Sequence, residues 1–172
     1  DVVLAKMLFD ADAAGVYAVV ALVGRAVFFL SWSVATAAFP HAAREGADDT
    51  VRRDAMRMVA LMCAVLTAGV AAVAPFASSI VFGAGYESAG PLFLPYAAAT
   101  SLFALANLSA TLDAARGRMV GAVLVVLGAI GQTGLLLLGA TSPTRMVWLQ
   151  VVAMAGLLCA VSLGHRLSAR RR

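Results

Sequence analysis

Residues 120–138 read VGAVLVVLGAIGQTGLLLL and contain no charged side chain. A helix on the surface of a soluble protein keeps one polar face, whereas a helix built from this stretch has none. At about 1.5 Å per residue, such a helix is long enough to cross the roughly 30 Å hydrocarbon core of a bilayer. The stretch therefore predicts a membrane-spanning helix, and it decides the fold class.

Similar apolar blocks lie on both sides of this stretch. The five predicted spans run approximately over 13–39, 55–81, 92–112, 119–139 and 146–164. The chain of 172 residues is 62% hydrophobic and 13% charged, whereas soluble domains average about 45–50% and about 25%. We therefore expect an all-α, polytopic transmembrane bundle over residues 1–164, followed by a basic cytoplasmic tail at 165–172.

The arginine content of the connections between spans alternates between high and low. An excess of Lys and Arg in short loops marks the cytoplasmic side of a membrane. The connections at 41–57 and 113–118 and the C-terminal tail are therefore predicted to be cytoplasmic, and those at 82–91 and 140–145 external. The arginines of the rich segments are Arg44, Arg52, Arg53, Arg57, Arg116, Arg118, Arg166, Arg170, Arg171 and Arg172.

The first nine residues, DVVLAKMLF, are apolar but too short to cross a membrane, because they span only about 13 Å as a helix. We interpret them as the outer end of a partial span. This interpretation predicts that the chain is a piece of a larger transporter.

Arg25 is the arginine that orientation does not explain, because it lies near the middle of the span 13–39. A charge at that depth costs about 2.5–3.5 kcal/mol, so Arg25 is expected either to line a wet cavity or to pair with an acid or with helix-end carbonyls. Trp32 and Phe39 follow at intervals of seven residues on nearly the same face. A guanidinium binds phosphate bidentately and aromatic rings stack on sugars, so a cavity would suit an anionic, sugar-bearing ligand.

Lys6 and Asn107 are further candidates for the substrate cavity. Lys6 either supplies a second cation or extends outward to the membrane surface. Asn107 lies in mid-span, where it either contacts the ligand or hydrogen-bonds to another helix. Glu87 and Asp113 lie at span ends, where solvated surface positions are expected.

Signatures of other function classes are absent from the sequence. It contains no paired carboxylates, Ser/His/Asp arrangement, phosphate loop or metal-ligand cluster, and Cys63 and Cys159 have no partner at ligand spacing. We therefore expect no enzyme, no cofactor and no metal. The net charge of +4 does not indicate nucleic-acid binding, because the arginines lie at span ends instead of forming one stripe.

Several short motifs, in order, resemble one family of membrane transporters. They are DVVLAKML (1–8), AAGVY (13–17), Phe39-Pro40, the turn VFGAGYESA (81–89) and ARGR (115–118) before a glycine-rich span. The chain resembles polysaccharide exporters of the multidrug/oligosaccharidyl-lipid/polysaccharide flippase superfamily. The resemblance implies a fold of two six-helix lobes, with this chain as most of the C-terminal lobe.

The resemblance also implies a function in the bacterial cytoplasmic membrane. The protein would flip a polyprenyl-pyrophosphate-linked oligosaccharide between leaflets by alternating access, together with a missing N-terminal lobe. A drug/cation antiporter is an alternative, although no acidic residue lies in the middle of the five spans. A lipid II flippase and a non-transporting scaffold subunit of a glycan export complex are further alternatives.

Overall fold

The computed structural model describes residues 1–42, 49–80 and 83–170, and it confirms an all-α bundle. No strand occurs in these ranges. Helices α2 to α6 are long and apolar enough to cross a membrane, and they identify a multi-pass membrane protein. The helices are α1 (Val2–Leu8), α2 (Ala11–Ala42), α3 (Asp49–Ile80), α4 (Gly90–Ala115), α5 (Val120–Gly139) and α6 (Pro143–Arg170), with a short 3-10 helix at Ala84–Ala89 before α4.

The helices extend beyond the apolar blocks of the sequence. α3 begins at Asp49, and α6 continues to Arg170, so residues 165–170 are helical although we expected a separate tail there. Apolar composition marks the part of a helix that lies in hydrocarbon, whereas helical hydrogen bonds continue past the bilayer edge. Pro40 lies inside α2, two residues before Ala42, the last described residue of that helix. Arg44, Val81, Arg171 and Arg172 lie outside the described residues.

α1 is a short helix that folds back along α2. The amide of Phe9 donates to the carbonyl of Ala5 as α1 ends, and the carboxylate of Asp10 then accepts a hydrogen bond from the amide of Ala13 at 2.8 Å. This bond caps the start of α2. The tight turn places Asp1 beside the first part of α2, inside the bundle and away from its end.

α4 is the centre of the bundle. It packs against α2, α3, α5 and α6, and twelve of its residues are buried. α5 lies at the periphery, and its buried residues are Gly121 and Leu136. The charge-free helix α5 is therefore among the least buried of the bundle, while the more polar α4 forms the core.

Glycine allows close helix packing along the first half of α5, as small residues do in membrane bundles. A β-carbon on Gly121 would lie 2.9 Å from the α-carbon of Ala110, and one on Gly128 would lie 2.8 Å from the side chain of Leu157. Gly131 and Gly134 have no described neighbour within 4 Å of such an atom. α5 therefore contacts its neighbours closely at Gly121 and Gly128, whereas Gly131 and Gly134 face away from the described residues.

Helices that follow one another along the chain from α2 to α6 run in opposite directions. Gly164 near the end of α6 lies against Val120 and Leu124 at the start of α5, and Gly139 at the end of α5 lies against Leu149 near the start of α6. The ends of α2, α4 and α6 and the starts of α3 and α5 thus share one side of the bundle, which we call the arginine-rich end.

Candidate functional site

A cavity of about 320 Å³ lies between α1, α2, α4, α5 and α6. It is open on one side. Its polar lining comes from every one of these helices, so it depends on the tertiary fold and not on a single helix face. The main polar lining residues are Asp1, Arg25, Tyr96, Thr100, Gln132 and Gln150.

Arg25 carries the positive charge of this cavity. It lies on α2 within the candidate span Ala11–Val34, and its side chain is exposed to the cavity instead of being packed in the core. Among the described residues, its guanidinium has no hydrogen-bond acceptor and no carboxylate at ion-pair distance. A guanidinium always stays charged and carries five donors, so this group is set up to bind water or an incoming anion.

The Asp1 carboxylate is the negative group of the cavity, but its oxygens are already occupied. The side-chain amide of Gln150 donates to Asp1 Oδ2 at 3.0 Å, and the Tyr96 hydroxyl donates to the same oxygen. The Tyr17 hydroxyl donates to Gln150 Oε1 at 2.8 Å and lies 3.3 Å from Asp1 Oδ2. This cluster ties α1, α2, α4 and α6 together.

Sequence reasoning missed the Asp1 cluster because it searched for acids only inside the five full spans. Tyr17, Tyr96 and Gln150 each lie about two turns into their helices, and the turn at Phe9 brings Asp1 to the same depth. The acidic residue of the cavity, Asp1, thus comes from the segment that precedes the five spans. The signal that the sequence offered was Asp1, which stands at the start of an apolar segment half as long as a membrane span.

An aromatic wall closes one side of the cavity. The rings of Phe28 and Phe103 stack with centroids 5.5 Å apart and an angle of 27°, and both residues line the cavity. Trp32 continues this wall, with its ring 5.9 Å from that of Phe28. It borders a separate groove that also contains Phe39 and Thr111. The predicted Arg25–Trp32–Phe39 face is thus divided between two depressions.

Lys6 and Asn107 lie apart from Arg25. Lys6 is exposed on α1 and Asn107 is partly buried on α4, and neither is among the described lining residues of the cavity. Of the four candidates from the sequence, the structure places Arg25 alone on the lining, within the ranges it describes. Trp32 is two helical turns from Arg25, about 10 Å along α2, which takes it past the end of the cavity.

A second polar cluster lies at the arginine-rich end. One guanidinium nitrogen of Arg52 lies 2.7 Å from His165 Nε2, and another donates to Ser109 Oγ at 2.6 Å. His165 Nδ1 lies 2.9 and 3.1 Å from the two oxygens of Asp113. Asp113 is only 3% exposed, so the expectation that it is a solvated surface residue was wrong.

The Arg52 network, as we call these four residues, joins α3, α4 and α6. It was invisible to sequence reasoning because the residues that contact each other are separated by more than fifty positions and come from three different helices. In the described part of the chain, no group of three or more His, Cys, Asp or Glu side chains could hold a metal ion.

Comparison of the chain with protein-family models, with curated proteins and with solved structures gave no match. The function is therefore argued from the cavity and its charges.

Proposed function

We propose that the chain forms one side of the substrate cavity of a flippase, which moves a polyprenyl-pyrophosphate-linked oligosaccharide across the membrane by alternating access. The observation that carries this proposal is Arg25, a cation within a membrane span that faces an open cavity and has no protein acceptor in the described residues. A charge at this depth is costly unless it pairs or is hydrated. A diphosphate group would satisfy it bidentately.

The rest of the cavity suits a sugar next to the diphosphate. The Thr100 hydroxyl and the Gln132 amide offer hydrogen-bond donors and acceptors, and the stacked rings of Phe28 and Phe103 offer an apolar wall. Ligand pockets for small molecules enclose about 300–1,000 Å³. A cavity of about 320 Å³ therefore fits the diphosphate and the nearest sugar, while the remainder of a lipid-linked glycan would extend through the open side.

A partner lobe would complete the cavity on that open side. Large apolar side chains are exposed along α2 and α3, including Phe29, Trp32, Leu61 and Phe76. A second lobe of the transporter, or lipid, would cover them. We further propose that the arginine-rich end faces the cytoplasm of a bacterial cell, because basic loops are retained on that side.

A drug/cation antiporter is the second candidate, and Asp1 is the observation that favours it. A carboxylate inside the bundle is the type of group that binds H⁺ or Na⁺. Its hydrogen bonds from Gln150 and Tyr96 occupy much of its acceptor capacity, since a carboxylate has about four acceptor positions. Arg25 has no such partners among the described residues, so the anionic substrate is the better-supported proposal.

The test is binding of farnesyl pyrophosphate, a short analogue of the lipid carrier, to the chain in lipid nanodiscs. A charge-assisted hydrogen bond contributes about 1.5–3 kcal/mol, so Arg25→Ala should weaken binding by about 10- to 100-fold. Arg25→Lys should weaken it less, because it keeps the charge and loses the bidentate geometry. The matched control is Arg145→Ala. It removes an exposed arginine that is not among the lining residues of the cavity, so it should leave binding unchanged.

Two results would contradict the proposal. Equal affinity of the wild-type and Arg25→Ala proteins would return Arg25 to a structural role. Tighter binding of a lipophilic cation such as tetraphenylphosphonium, lost on Asp1→Asn, would favour the antiporter.

A further inference from the structure

The Arg52 network has a defined protonation state, which follows from its donors and acceptors. A guanidinium can only donate, so the 2.7 Å contact between Arg52 and His165 Nε2 requires a lone pair on Nε2. The proton of a neutral imidazole must then lie on Nδ1, where it is donated to Asp113 at 2.9 Å. In this state Arg52 is positive, Asp113 is negative, and His165 and Ser109 are neutral.

A proton added to this network changes one contact and preserves the other. On Nε2 it would remove the acceptor of Arg52 and place two cations against each other. The Nδ1–H···Asp113 hydrogen bond would remain and would become charge-assisted, hence stronger. Proton uptake and the Arg52–His165 contact therefore exclude each other.

We propose that the Arg52 network is a proton-binding site, in which uptake of one proton at His165 Nε2 breaks the Arg52–His165 contact and loosens α3 from α6. The proton comes from hydronium in the adjacent water: an O–H bond of hydronium breaks, an N–H bond forms with the Nε2 lone pair, and a water molecule is left. Arg52 keeps all its own protons and its hydrogen bond to Ser109 Oγ, while the nitrogen that faced His165 turns to water. The net charge of the network rises by one.

The position of His165 allows this exchange with water. Its side chain is 20% exposed, whereas that of Asp113 is 4% exposed, so the imidazole is the member that solvent reaches. Histidine is also the side chain that normally changes charge between pH 5 and 8. The site is thus open to protons while its counter-ion stays buried.

The charged neighbours of His165 come from each element packed around it. α3 contributes Arg52 and α4 contributes Asp113. The turn that directly follows α4 carries Arg116 and Arg118, and the backbone amide of Arg118 donates to the backbone carbonyl of Asp113 at 2.9 Å. α5 contributes apolar contacts, with Val120 and Leu124 lying against the residue before His165.

This inference goes beyond the proposed transport function and does not depend on it. The network residues do not line the Arg25 cavity in the described part of the chain. Loss of farnesyl pyrophosphate binding and loss of proton coupling are therefore separate outcomes.

The first experiment reads the tautomer directly. The chain has two histidines, so His41→Gln leaves His165 as the single imidazole for ¹⁵N NMR in lipid nanodiscs. We expect the Nδ1–H tautomer whenever the imidazole is neutral, and a proton on both nitrogens after proton uptake at lower pH. An Nε2–H tautomer at pH 8 would overturn the proposal, and this measurement does not need any substitution within the network.

The second experiment reads the helix movement. Spin labels at Thr50→Cys on α3 and Leu167→Cys on α6, both exposed positions, are measured in a chain whose native cysteines are replaced by alanine. We expect their separation to increase by on the order of 1–2 Å, the size of helix shifts at packed interfaces, as His165 is protonated. A separation that is the same at pH 8 and pH 5 would overturn the proposal.

The matched control for this movement is His165→Gln. The glutamine amide can accept from Arg52 and donate to Asp113, but it cannot take up a proton in this range. Its label separation should therefore not depend on pH. An unchanged pH-dependent shift in this variant would assign the movement to other groups and overturn the proposal.

Discussion

Gly24→Ala tests how closely α2 and α4 approach each other beside the Arg25 cavity. A β-carbon built on Gly24 would lie 2.6 Å from Thr100 Oγ1 and would overlap the ring of Tyr96. The ring cannot move aside freely, because its hydroxyl is bound to the Asp1 carboxylate. The added methyl group must therefore push the helices apart or break the Asp1 cluster.

The expected change in the free energy of unfolding of Gly24→Ala is the sum of two opposing contributions. Overpacking a well-packed core costs about 1–3 kcal/mol, while replacing glycine by alanine inside a helix stabilises it by up to about 1 kcal/mol. Gly131→Ala is the matched control, since its β-carbon would have no described neighbour within 4 Å and it keeps only the second contribution. Subtracting the two variants cancels the helix propensity and leaves an expected difference of about 1–3 kcal/mol.

The assay is reversible unfolding in mixed detergent micelles, with the loss of helix followed by circular dichroism. Gly24→Ala should unfold at a lower denaturant fraction than both the wild-type protein and Gly131→Ala. In a Tyr96→Phe background, where the ring is no longer held by Asp1, the cost of Gly24→Ala should decrease. If Gly24→Ala is as stable as Gly131→Ala, the close contact between α2 and α4 is refuted.

Two further predictions concern the arginine-rich end. Asp113→Ala should destabilise the protein by about 3–5 kcal/mol in the same unfolding assay, because it leaves partners of a buried ionic network unpaired. The control, Glu87→Ala at an exposed position, should change stability by about 0.5 kcal/mol or less. Similar effects of the two substitutions would exclude a stabilising network. In intact bacterial cells, a membrane-impermeant thiol reagent should label Thr141→Cys and should not label Thr50→Cys when the native cysteines have been replaced. Labelling of Thr50→Cys alone would invert the proposed orientation.

The helices could be predicted from the sequence because the hydrocarbon core of a bilayer allows few kinds of backbone structure. Only helices and closed barrels satisfy the backbone inside hydrocarbon, so each long apolar block becomes a span. The arrangement of the spans could not be predicted in the same way. α5 is more apolar than α4 but lies outside it, because hydrophobic composition does not distinguish a lipid-facing helix from a buried one.

The candidate site was predictable to the extent that a charge was visibly out of place. Arg25 stands in the middle of an apolar block, and its position indicated either a wet cavity or a buried partner. Asp1 and Asp113 gave no such signal, since both lie at the ends of helices in sequence and meet their hydrogen-bond partners only through neighbours from other helices. Polar clusters formed by helix ends depend on how the helices pack together. The pattern of polar and apolar residues within one helix therefore does not predict them.

The two polar clusters together indicate which helices form a frame and which can move. α4 and α6 take part in both, through Tyr96 and Gln150 near one end and through Asp113 and His165 near the other. On α2 the interhelical hydrogen bonds described above are made by Tyr17. Apolar contacts between helices cost little to exchange for lipid, because lipid tails are equally apolar.

α2 is therefore expected to pivot about Tyr17 against the frame of α4 and α6. Arg25 lies about 12 Å further along α2, so its guanidinium would move during such a pivot, while the Asp1 carboxylate would stay bound to Tyr96 and Gln150. α3 is joined to this frame by Arg52 at the arginine-rich end and by the hydroxyls of Thr67 and Ser101, which lie 3.1 Å apart. Protonation of His165 would loosen that end of α3 from α6 and leave the frame of α4 and α6 intact, so the two clusters would control separate movements of the same bundle.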